Sequence, residues 1–275
     1  MEEWVRRTGY KMADREVGYR GKKFDPYCFQ RQLRDMKDTG ERVGLEGEVR
    51  EIDFHTAQDF ILEFEWLGTM GTTQFSYGLF VDDRLTAVAC FGLTAGTHAL
   101  VEPFGEERKN EGIVLVRGAC APWSHEHTSS YFIGKVMPLV RERGYRFVIA
   151  YSDPEAGEIG TVYQATNWIF YGMTSPVTYL VRPDGKRVDP KLIHKYAKKF
   201  GISSAEQKEN FFKEGYTMER GSPKLKYLYI LGNRKDKREM LREMRVPNLP
   251  YVKRKPDMSE VIKEAKELVR HAKRN

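Results

Sequence analysis

Cysteine is scarce in this sequence. Three cysteines occur among 275 residues, Cys28, Cys90 and Cys120, and no two of them form a Cys-x-x-Cys pair. An odd number of scattered thiols argues against a disulfide framework and against the usual structural zinc sites. The composition favours a protein of a reducing compartment, and we therefore expect it in the cytoplasm.

Long apolar runs are absent as well. No stretch approaches the roughly 18 apolar residues that a membrane-spanning helix needs. The first residues, MEEWVRRTGYKMADREVG, contain no apolar core of the kind that a secretory signal requires. The sequence therefore predicts no membrane contact and no export, and it shows no internal repeat.

Charge is abundant but unevenly distributed. The formal net charge is +7, yet the part from Arg182 to the end holds 26 Lys and Arg against 13 Asp and Glu, a balance of +13. Residues 1–181 therefore carry a balance of −6. An acidic front and a basic back are expected when one part performs chemistry and the other holds a polyanion. The alternative is a lysine-rich solvated surface, and we favour nucleic acid.

Hydrophobic periodicity divides the chain into three parts. Residues 1–54 form a peripheral segment with one helix near residues 24–36, residues 55–232 form the main domain, and residues 233–275 form a basic tail that ends in a helix. The main domain is predicted to run helix, hairpin, strand, helix, strand, short helix, strand, strand. Two lysine-rich helices at about 187–215 would be an insertion between the last two strands, PVTYLVRPDG and KLKYLYILGN, which are able to pair.

The stretch YSDPEAGEIGTVYQATNW is unusual for a strand-to-helix connection. The apolar run RFVIAYS predicts a buried strand, and its carboxyl end leads directly into Asp153 and a segment with two glycines. A short helix that carries Tyr163 follows. Carboxyl ends of strands in open α/β sheets are common ligand positions, which makes Asp153 a candidate for a functional site.

This order of elements is that of the GNAT acyltransferase fold, in which the fourth and fifth strands splay apart around the donor. More specifically, YSDPEAGEIGTVYQATNWIFYG resembles the phage Mom DNA-modification proteins, a divergent GNAT-like branch. The resemblance covers about residues 55–180. It implies an α/β (α+β) fold with a mixed, splayed central sheet flanked by helices. It also implies an enzyme that leaves a carbamoylmethyl group on N6 of adenine in double-stranded DNA and protects phage DNA from restriction in the host cytoplasm.

Two of the four catalytic positions implied by the resemblance lie in the quoted stretch. Asp153 could hold the N6 amino group or accept its proton, and the alternative is an Asp that caps the next helix. Tyr163 occupies the helix position from which GNAT tyrosines protonate the leaving group. The alternative for Tyr163 is a tyrosine that only packs against the sheet.

The other two implied catalytic positions are Arg117 and Ser130. Arg117 would be a phosphate or carboxylate clamp or half of a structural ion pair. Ser130 opens the helix that faces the donor, where N–H groups and the helix dipole favour an anionic or polar ligand, or it is a simple N-cap. Together with Thr128, Ser129 and Asn167, Ser130 is also predicted to contact the donor.

The chain departs from the family pattern at two places. Coenzyme-A-binding GNATs have a glycine-rich loop before the donor helix, where this chain has His125-Glu-His-Thr-Ser-Ser130. The family also tends to carry a histidine at the end of the first helix, where this chain has Glu65-Trp66. Without the glycines of that loop, the backbone before the donor helix cannot approach a pyrophosphate as closely. His125 and His127 could bind a metal, but with no third ligand we expect a surface loop and no metal site.

The donor is therefore left open between acetyl-CoA and an activated glycine, either a thioester or glycyl-tRNA, which would add tRNA as a partner. Glycyl-N6-adenine and N6-carbamoylmethyl-adenine are isomers, so glycyl transfer followed by rearrangement would give the product that the family makes. The alternative function is an acetyl-CoA-dependent N-acetyltransferase that acts on a small molecule or a protein. An inactive DNA-binding protein on the same scaffold is a third reading.

Overall fold

The computed structural model describes residues 42–65, 70–93, 98–121, 123–185, 187–188, 190–255 and 257–273. The helix predicted near residues 24–36 and the side chains of Cys28 and Trp66 lie outside them. None of the helices in these ranges combines the length and the apolarity that crossing a bilayer requires.

Ten strands and eight helices make up the described part of the chain. The strands are β1 (Glu48–Ile52), β2 (Thr73–Val81), β3 (Arg84–Gly92), β4 (Gly112–Cys120), β5 (Phe147–Ser152), β6 (Ile169–Met173), β7 (Thr178–Val181), β8 (Arg187–Val188), β9 (Thr217–Arg220) and β10 (Leu225–Ile230). The helices are α1 (Phe54–Phe64), α2 (His98–Val101), α3 (Thr128–Glu142), α4 (Thr161–Ala165), α5 (Lys191–Phe200), α6 (Ser204–Lys213), α7 (Arg234–Glu243) and α8 (Met258–Ala272). Two 3₁₀ turns span Glu106–Glu111 and Pro154–Ala156.

The main sheet has seven strands in the order β1-β2-β3-β4-β5-β10-β6. Every neighbouring pair is antiparallel except β4 and β5, which are parallel. Helices lie against it: α1 contacts β2, β3 and β4, and α8 contacts β6. The main sheet is thus a mixed α/β sheet flanked by helices, so the predicted fold class is confirmed.

The parallel strands β4 and β5 pair over a short length. Three residue pairs join them, from Gly112 with Phe147 to Val114 with Ile149. Beyond these pairs β4 remains bonded to β3 and β5 to β10, but they no longer bond to each other. The two strands therefore splay at their carboxyl ends and open a gap in the middle of the sheet.

Helix α3 covers one side of that gap. Its apolar residues recur at helical spacing, and their side chains are buried in the main core: Phe132, Ile133, Val136, Met137 and Val140. Pro138 lies inside the helix, where it removes one backbone hydrogen bond. The helix runs on both sides of Pro138, from Thr128 to Glu142.

Strand β10 has different neighbours from those predicted. We expected it to pair with PVTYLVRPDG, but it lies between β5 and β6. Five of its six residues are buried, and such a strand needs a partner on each edge. The segment IFYGM, which became β6, supplies the second partner, so this prediction from the sequence is wrong.

PVTYLVRPDG instead supplies β7, the centre of a separate three-stranded sheet in the order β8-β7-β9. This sheet and the helices α5 and α6 form a unit with its own small core of Leu180, Ile193 and Phe211. We call residues 178–220 the insertion. It contains the predicted helices and is wider than the range 187–215 expected from the sequence.

The C-terminal segment is built into the main domain. Leu249 bridges to Phe170 of β6, and Val252, Val261 and Ala265 are fully buried in the main core. At the other end, β1 pairs with β2 along its whole length. The segments predicted to flank the domain thus contribute an edge strand and a covering helix to it.

Candidate functional site

The gap between β4 and β5 is a cavity of about 840 Å³. It is lined by β4, the first turns of α3, the end of β5 and the segment that leads to α4. A volume in this range is typical of small-molecule sites. The four residues predicted as catalytic all line it: Arg117, Ser130, Asp153 and Tyr163.

Only some of the residues predicted to contact the donor line the cavity. Ser129 and Ser130 line the cavity, whereas Thr128 and Asn167 do not. Thr128 is 1% exposed and its side chain is directed into the protein. Asn167 is exposed and has a φ of 60°, because it makes the turn between α4 and β6. The cavity geometry therefore gives no support to a donor contact by Thr128 or Asn167.

Asp153 both caps a turn and faces the cavity. Its Oδ1 accepts a hydrogen bond of 3.0 Å from the backbone N–H of Glu155, which caps the 3₁₀ turn. Its Oδ2 lies 3.4 Å from Nζ of Lys224. Burial raises the pKa of Asp153 above its usual value, while the ammonium of Lys224 and the N–H of Glu155 act in the opposite direction.

Lys224 is a cavity residue that sequence reasoning missed. It immediately precedes β10, and the register of β10 with β5 pairs Leu225 with Ser152. That register places Lys224 beside Asp153. Its backbone is fixed by two hydrogen bonds with Thr174, of 3.0 and 2.9 Å. The available signal was the possible antiparallel pairing of KLKYLYI with RFVIAYS.

Tyr163 also combines packing with access to the cavity. Its ring lies against Trp168 and Tyr227, with ring centroids 4.9 and 5.2 Å away. Burial raises the pKa of Tyr163 far above its usual value, and the negative charge of Glu158, which also lines the cavity, adds to this effect. The phenol therefore stays protonated at neutral pH and is available as a hydrogen-bond donor.

Two glycines make the sharp turns between Asp153 and Tyr163. Gly157 and Gly160 have φ values of 72° and 73°. At Gly160 a Cβ would lie 2.4 Å from the ring of Tyr227, so a side chain is excluded by both conformation and space. The chain can therefore leave β5, turn along the cavity wall and begin α4 at Thr161.

Gln164 holds this turn in place. Its Nε2 lies within hydrogen-bond distance of the carbonyl of Ile159 (2.9 Å), the hydroxyl of Tyr227 (3.2 Å) and the carbonyl of Val252 (3.2 Å). Tyr227 also donates to the carbonyl of Ile159, at 2.6 Å. The Tyr-Gln pair of the motif thus divides its roles: Tyr163 lines the cavity and Gln164 ties the loop to β10 and to the C-terminal segment.

Arg254 reaches the cavity from that C-terminal segment. Its Nη1 donates to the carbonyl of Gly157 at 3.2 Å. Arg254 is a second cavity residue that sequence reasoning missed, since its position in a proline-punctuated basic tail gave no local signal. Lys224 and Arg254 both belong to the basic half of the chain.

The first turn of α3 presents hydroxyl groups to the cavity. Ser130 donates to the carbonyl of His127 at 3.1 Å, and Oγ of Ser129 lies 3.3 Å from Sγ of Cys120. The helix begins at Thr128 and its N-cap residue is His127, which makes no capping bond through its side chain. Ser130 is therefore not the N-cap.

Arg117 lies next to an irregularity in β4. The register between β3 and β4 shifts at Cys90, so that Val116 is an extra residue in β4. Such bulges bend a strand and redirect its side chains. The Nη1 of Arg117 donates to the carbonyl of Val116 at 2.5 Å, and both residues line the cavity.

Three large aromatic side chains, Trp168, Tyr77 and Trp123, do not line the cavity. Trp168 and Tyr77 are core residues, 0% and 6% exposed, and Trp123 stacks under Arg84 at 3.8 Å. Of the two histidines of the HEH segment, His127 lines the cavity. Across the described ranges, no group of three or more His, Cys, Asp and Glu side chains is placed to hold a metal ion.

Comparison with known proteins gives one family. Residues 46–253, more than half of the chain, match the Mom protein family. None of the curated proteins matches the sequence at a significant level.

Solved structures give remote similarities. The ribosomal-protein-S18-alanine N-acetyltransferase from Escherichia coli is 7% identical, covering 68% of this chain and 96% of that chain with a TM-score of 0.37. A putative phosphinothricin N-acetyltransferase is 12% identical, covering 68% and 100% with a TM-score of 0.38. An N-acetyltransferase from Staphylococcus aureus Mu50 is 9% identical, covering 68% and 99% with a TM-score of 0.36.

Proposed function

The chain belongs to the Mom protein family, and we propose that it is a transferase that modifies N6 of adenine in double-stranded DNA with a carbamoylmethyl, glycyl-derived group. We place this activity in the cytoplasm of a phage-infected host, where it protects phage DNA from restriction. One observation carries the proposal. Arg117, Ser130, Asp153 and Tyr163 line a single cavity at the splay of the sheet.

The acceptor side of the cavity is the rim formed by Asp153 and Lys224. N6 of adenine is a weak nucleophile that carries two protons, so its attack on a carbonyl needs a group that accepts one of them. The carboxylate of Asp153 suits this role: burial raises its pKa and so makes it a stronger proton acceptor, while the ammonium of Lys224 acts in the opposite direction. Reaction inside the cavity requires the adenine to be extruded from the duplex.

The donor side is the first turn of α3 and the unpaired edge of β4. Ser129 and Ser130 offer hydroxyls there, and the N–H groups at the start of α3 favour a polar or anionic group. No glycine precedes α3 within this loop, so the pyrophosphate of a coenzyme A fits poorly. An activated glycine, as a thioester or as glycyl-tRNA, is the donor class that we favour.

The transfer is balanced without an oxidant or a reductant. N6 attacks the glycyl carbonyl, the C–N bond forms, and the bond to the leaving group breaks. One N6 proton passes to Asp153 and the leaving group takes a proton from Tyr163. The free amine of the glycyl group then attacks C6 through a five-membered ring, and the former N6 departs as the nitrogen of the carboxamide.

Mass spectrometry of nucleosides tests this proposal. DNA from cells that express the chain and are fed labelled glycine is expected to contain labelled N6-carbamoylmethyl-deoxyadenosine. Asp153→Asn keeps the capping oxygen and is expected to lower the yield by roughly 10²–10⁴. Asp59→Asn, at an exposed position of α1, is the matched control and should leave the yield unchanged.

The outcomes separate the candidate functions. Unmodified DNA together with thermal stabilisation by coenzyme A would favour the N-acetyltransferase instead. Modified adenine without the glycine label would retain the substrate and exclude the glycyl donor. Normal modification by Asp153→Asn would reduce Asp153 to its capping role.

A further inference from the structure

We infer that helix α5 of the insertion is the surface that holds the phosphate backbone of duplex DNA beside the extruded base. This inference rests on the proposed function for the identity of the target. The docking surface itself is carried by separate observations on α5 and on the place where the insertion joins the domain.

Helix α5 carries a continuous stripe of positive charge. Its four lysines follow the spacing i, i+4, i+7 and i+8, which places them along one side of the helix: Lys191, Lys195, Lys198 and Lys199. All four are exposed, and the helix sequence KLIHKYAKKF contains no carboxylate. The stripe rises about 12 Å, which matches roughly three successive phosphates of one DNA strand.

The opposite side of α5 fixes the stripe in position. Ile193 and Ala197 are buried, and Ile193 shares a core with Leu180 of β7 and Phe211 of α6. The lysines are therefore presented on a packed helix. Phosphates can bind such a stripe without the cost of ordering a disordered segment.

Other basic helices of the described chain do not offer such a surface. In α7, carboxylates alternate with the cations, and Asp236 and Glu243 pair with Arg141 at 2.9 Å and with Arg108 at 2.7 Å. In α8, Glu264 pairs with Lys255 at 2.9 Å. The cations of α7 are thus interspersed with carboxylates, and α8 has as many Glu as Lys and Arg residues. Helix α5 has no carboxylate, and its charge is concentrated on one side.

An exposed aromatic ring ends the stripe. Phe200 is 57% exposed, and the ammonium of Lys199 lies 5.4 Å from the centre of its ring. Exposed aromatic rings beside cations are typical of surfaces that contact nucleic acids, where the ring stacks on a base and the cation pairs with a phosphate. Phe200 is therefore placed to contact the nucleotides beside the phosphates.

The insertion is attached at the acceptor rim of the cavity. Its two ends are joined by a hydrogen bond of 2.8 Å from Gly221 to the carbonyl of Val177. The next residue, Ser222, donates to Glu155 at 3.4 Å, and Lys224 lies beside Asp153. Helix α5 packs on Leu180, which follows the first residue of β7 by two positions and therefore lies about 7 Å along the strand from it.

This attachment favours DNA over a donor RNA. The insertion joins the main domain beside Asp153 and Glu155, where the acceptor binds in the proposed reaction, and the donor side is formed by α3 and β4. A duplex whose base enters past Asp153 would therefore extend its flanking backbone along α5.

Binding of a short DNA duplex at several salt concentrations tests the inference. A variant with Lys191, Lys195, Lys198 and Lys199 all changed to Gln is expected to reduce the slope of log K against log salt by about 0.9 for each lost phosphate contact. The matched control changes four exposed cations of α7, which are Arg234, Lys235, Arg238 and Arg242, to Gln. It removes the same charge and should reduce the slope much less.

A second variant, Phe200→Ala, is expected to weaken binding several-fold without changing the salt slope, since no charge is removed. Equal slopes for the α5 variant and the wild type would overturn the inference, and so would equal losses in the α5 and α7 variants. A loss of RNA hairpin binding with duplex binding intact would assign the helix to RNA instead. The measurement needs no modification reaction, so the docking surface and the proposed function can fail separately.

Discussion

Replacing Lys224 by Met tests how far Lys224 favours the ionised form of Asp153. Methionine is an unbranched side chain only one atom shorter than lysine, and the hydrogen bonds between the backbone of Lys224 and Thr174 are retained. The substitution removes the ammonium that lies 3.4 Å from Asp153 and leaves the burial of the carboxyl group. We therefore expect the pKa of Asp153 to rise further.

The size of the effect follows from Coulomb's law. Two unit charges about 4 Å apart interact by about 1 kcal/mol in water and by about 4 kcal/mol at an effective dielectric constant of 20. The side chains of Lys224 and Asp153 are 32% and 12% exposed, so solvent screens part of the attraction. A value of about 1.5–3 kcal/mol corresponds to roughly one to two pKa units.

The pH dependence of modification is the assay. Activity that needs ionised Asp153 is lost as pH falls through its pKa, so the acid limb should move to higher pH by about one to two units in Lys224→Met. Lys224→Arg keeps the positive charge, so its acid limb should lie at the same pH as that of the wild type. Lys253→Met, at an exposed position, controls for the loss of one cation. An acid limb that stays in place in a folded Lys224→Met protein would refute the reasoning.

Three further substitutions probe the same site. Tyr163→Phe removes only the phenolic hydroxyl, so turnover should fall while the urea midpoint changes little, and unchanged turnover would leave Tyr163 a packing residue. Gly160→Ala places a Cβ 2.4 Å from the ring of Tyr227 and should lower the melting temperature, unlike Gly134→Ala, which meets open space. In the wild type, the pKa of Asp153 is raised in the folded state, so the free energy of unfolding falls as pH rises above the pKa that Asp153 has in the unfolded chain. Asp153→Asn cannot ionise, and melting curves at several pH values should show a smaller fall in stability. An unchanged pH dependence would contradict the burial effect.

The sequence could predict the elements whose signals are local. The apolar run RFVIAYS, the turn at Asp153 and the two glycines define the end of β5 and the start of α4 within 15 residues of chain. The resemblance carried by this stretch implied Asp153 and Tyr163 as site residues, and both line the cavity. The hydroxyls at the start of α3 follow from the same kind of local pattern.

Features that depend on pairing between distant segments could not be predicted in this way. Strand β10 pairs with β5 across a gap of 72 or more positions, and this register alone brings Lys224 to Asp153. The bulge at Val116 arises from the register of β3 with β4. Arg254 reaches the cavity because Leu249 and Val252 pack into the core. None of these contacts leaves a periodic signal in the segment that makes it.

The charge asymmetry of the sequence therefore has two physical origins. A division into an acidic catalytic part and a basic binding part accounts for α5, whose lysines are exposed and concentrated on one side. It does not account for Lys224 and Arg254, which come from the basic half and line the cavity beside the carboxylates of Asp153 and Glu158. Since a buried carboxylate is ionised only at a cost, the acidic half needs cations from the basic half at the site itself. Variants that remove positive charge should thus fall into two classes. Loss of the lysines of α5 should change the affinity for DNA and its salt dependence. Loss of Lys224 should change the pH dependence of the reaction.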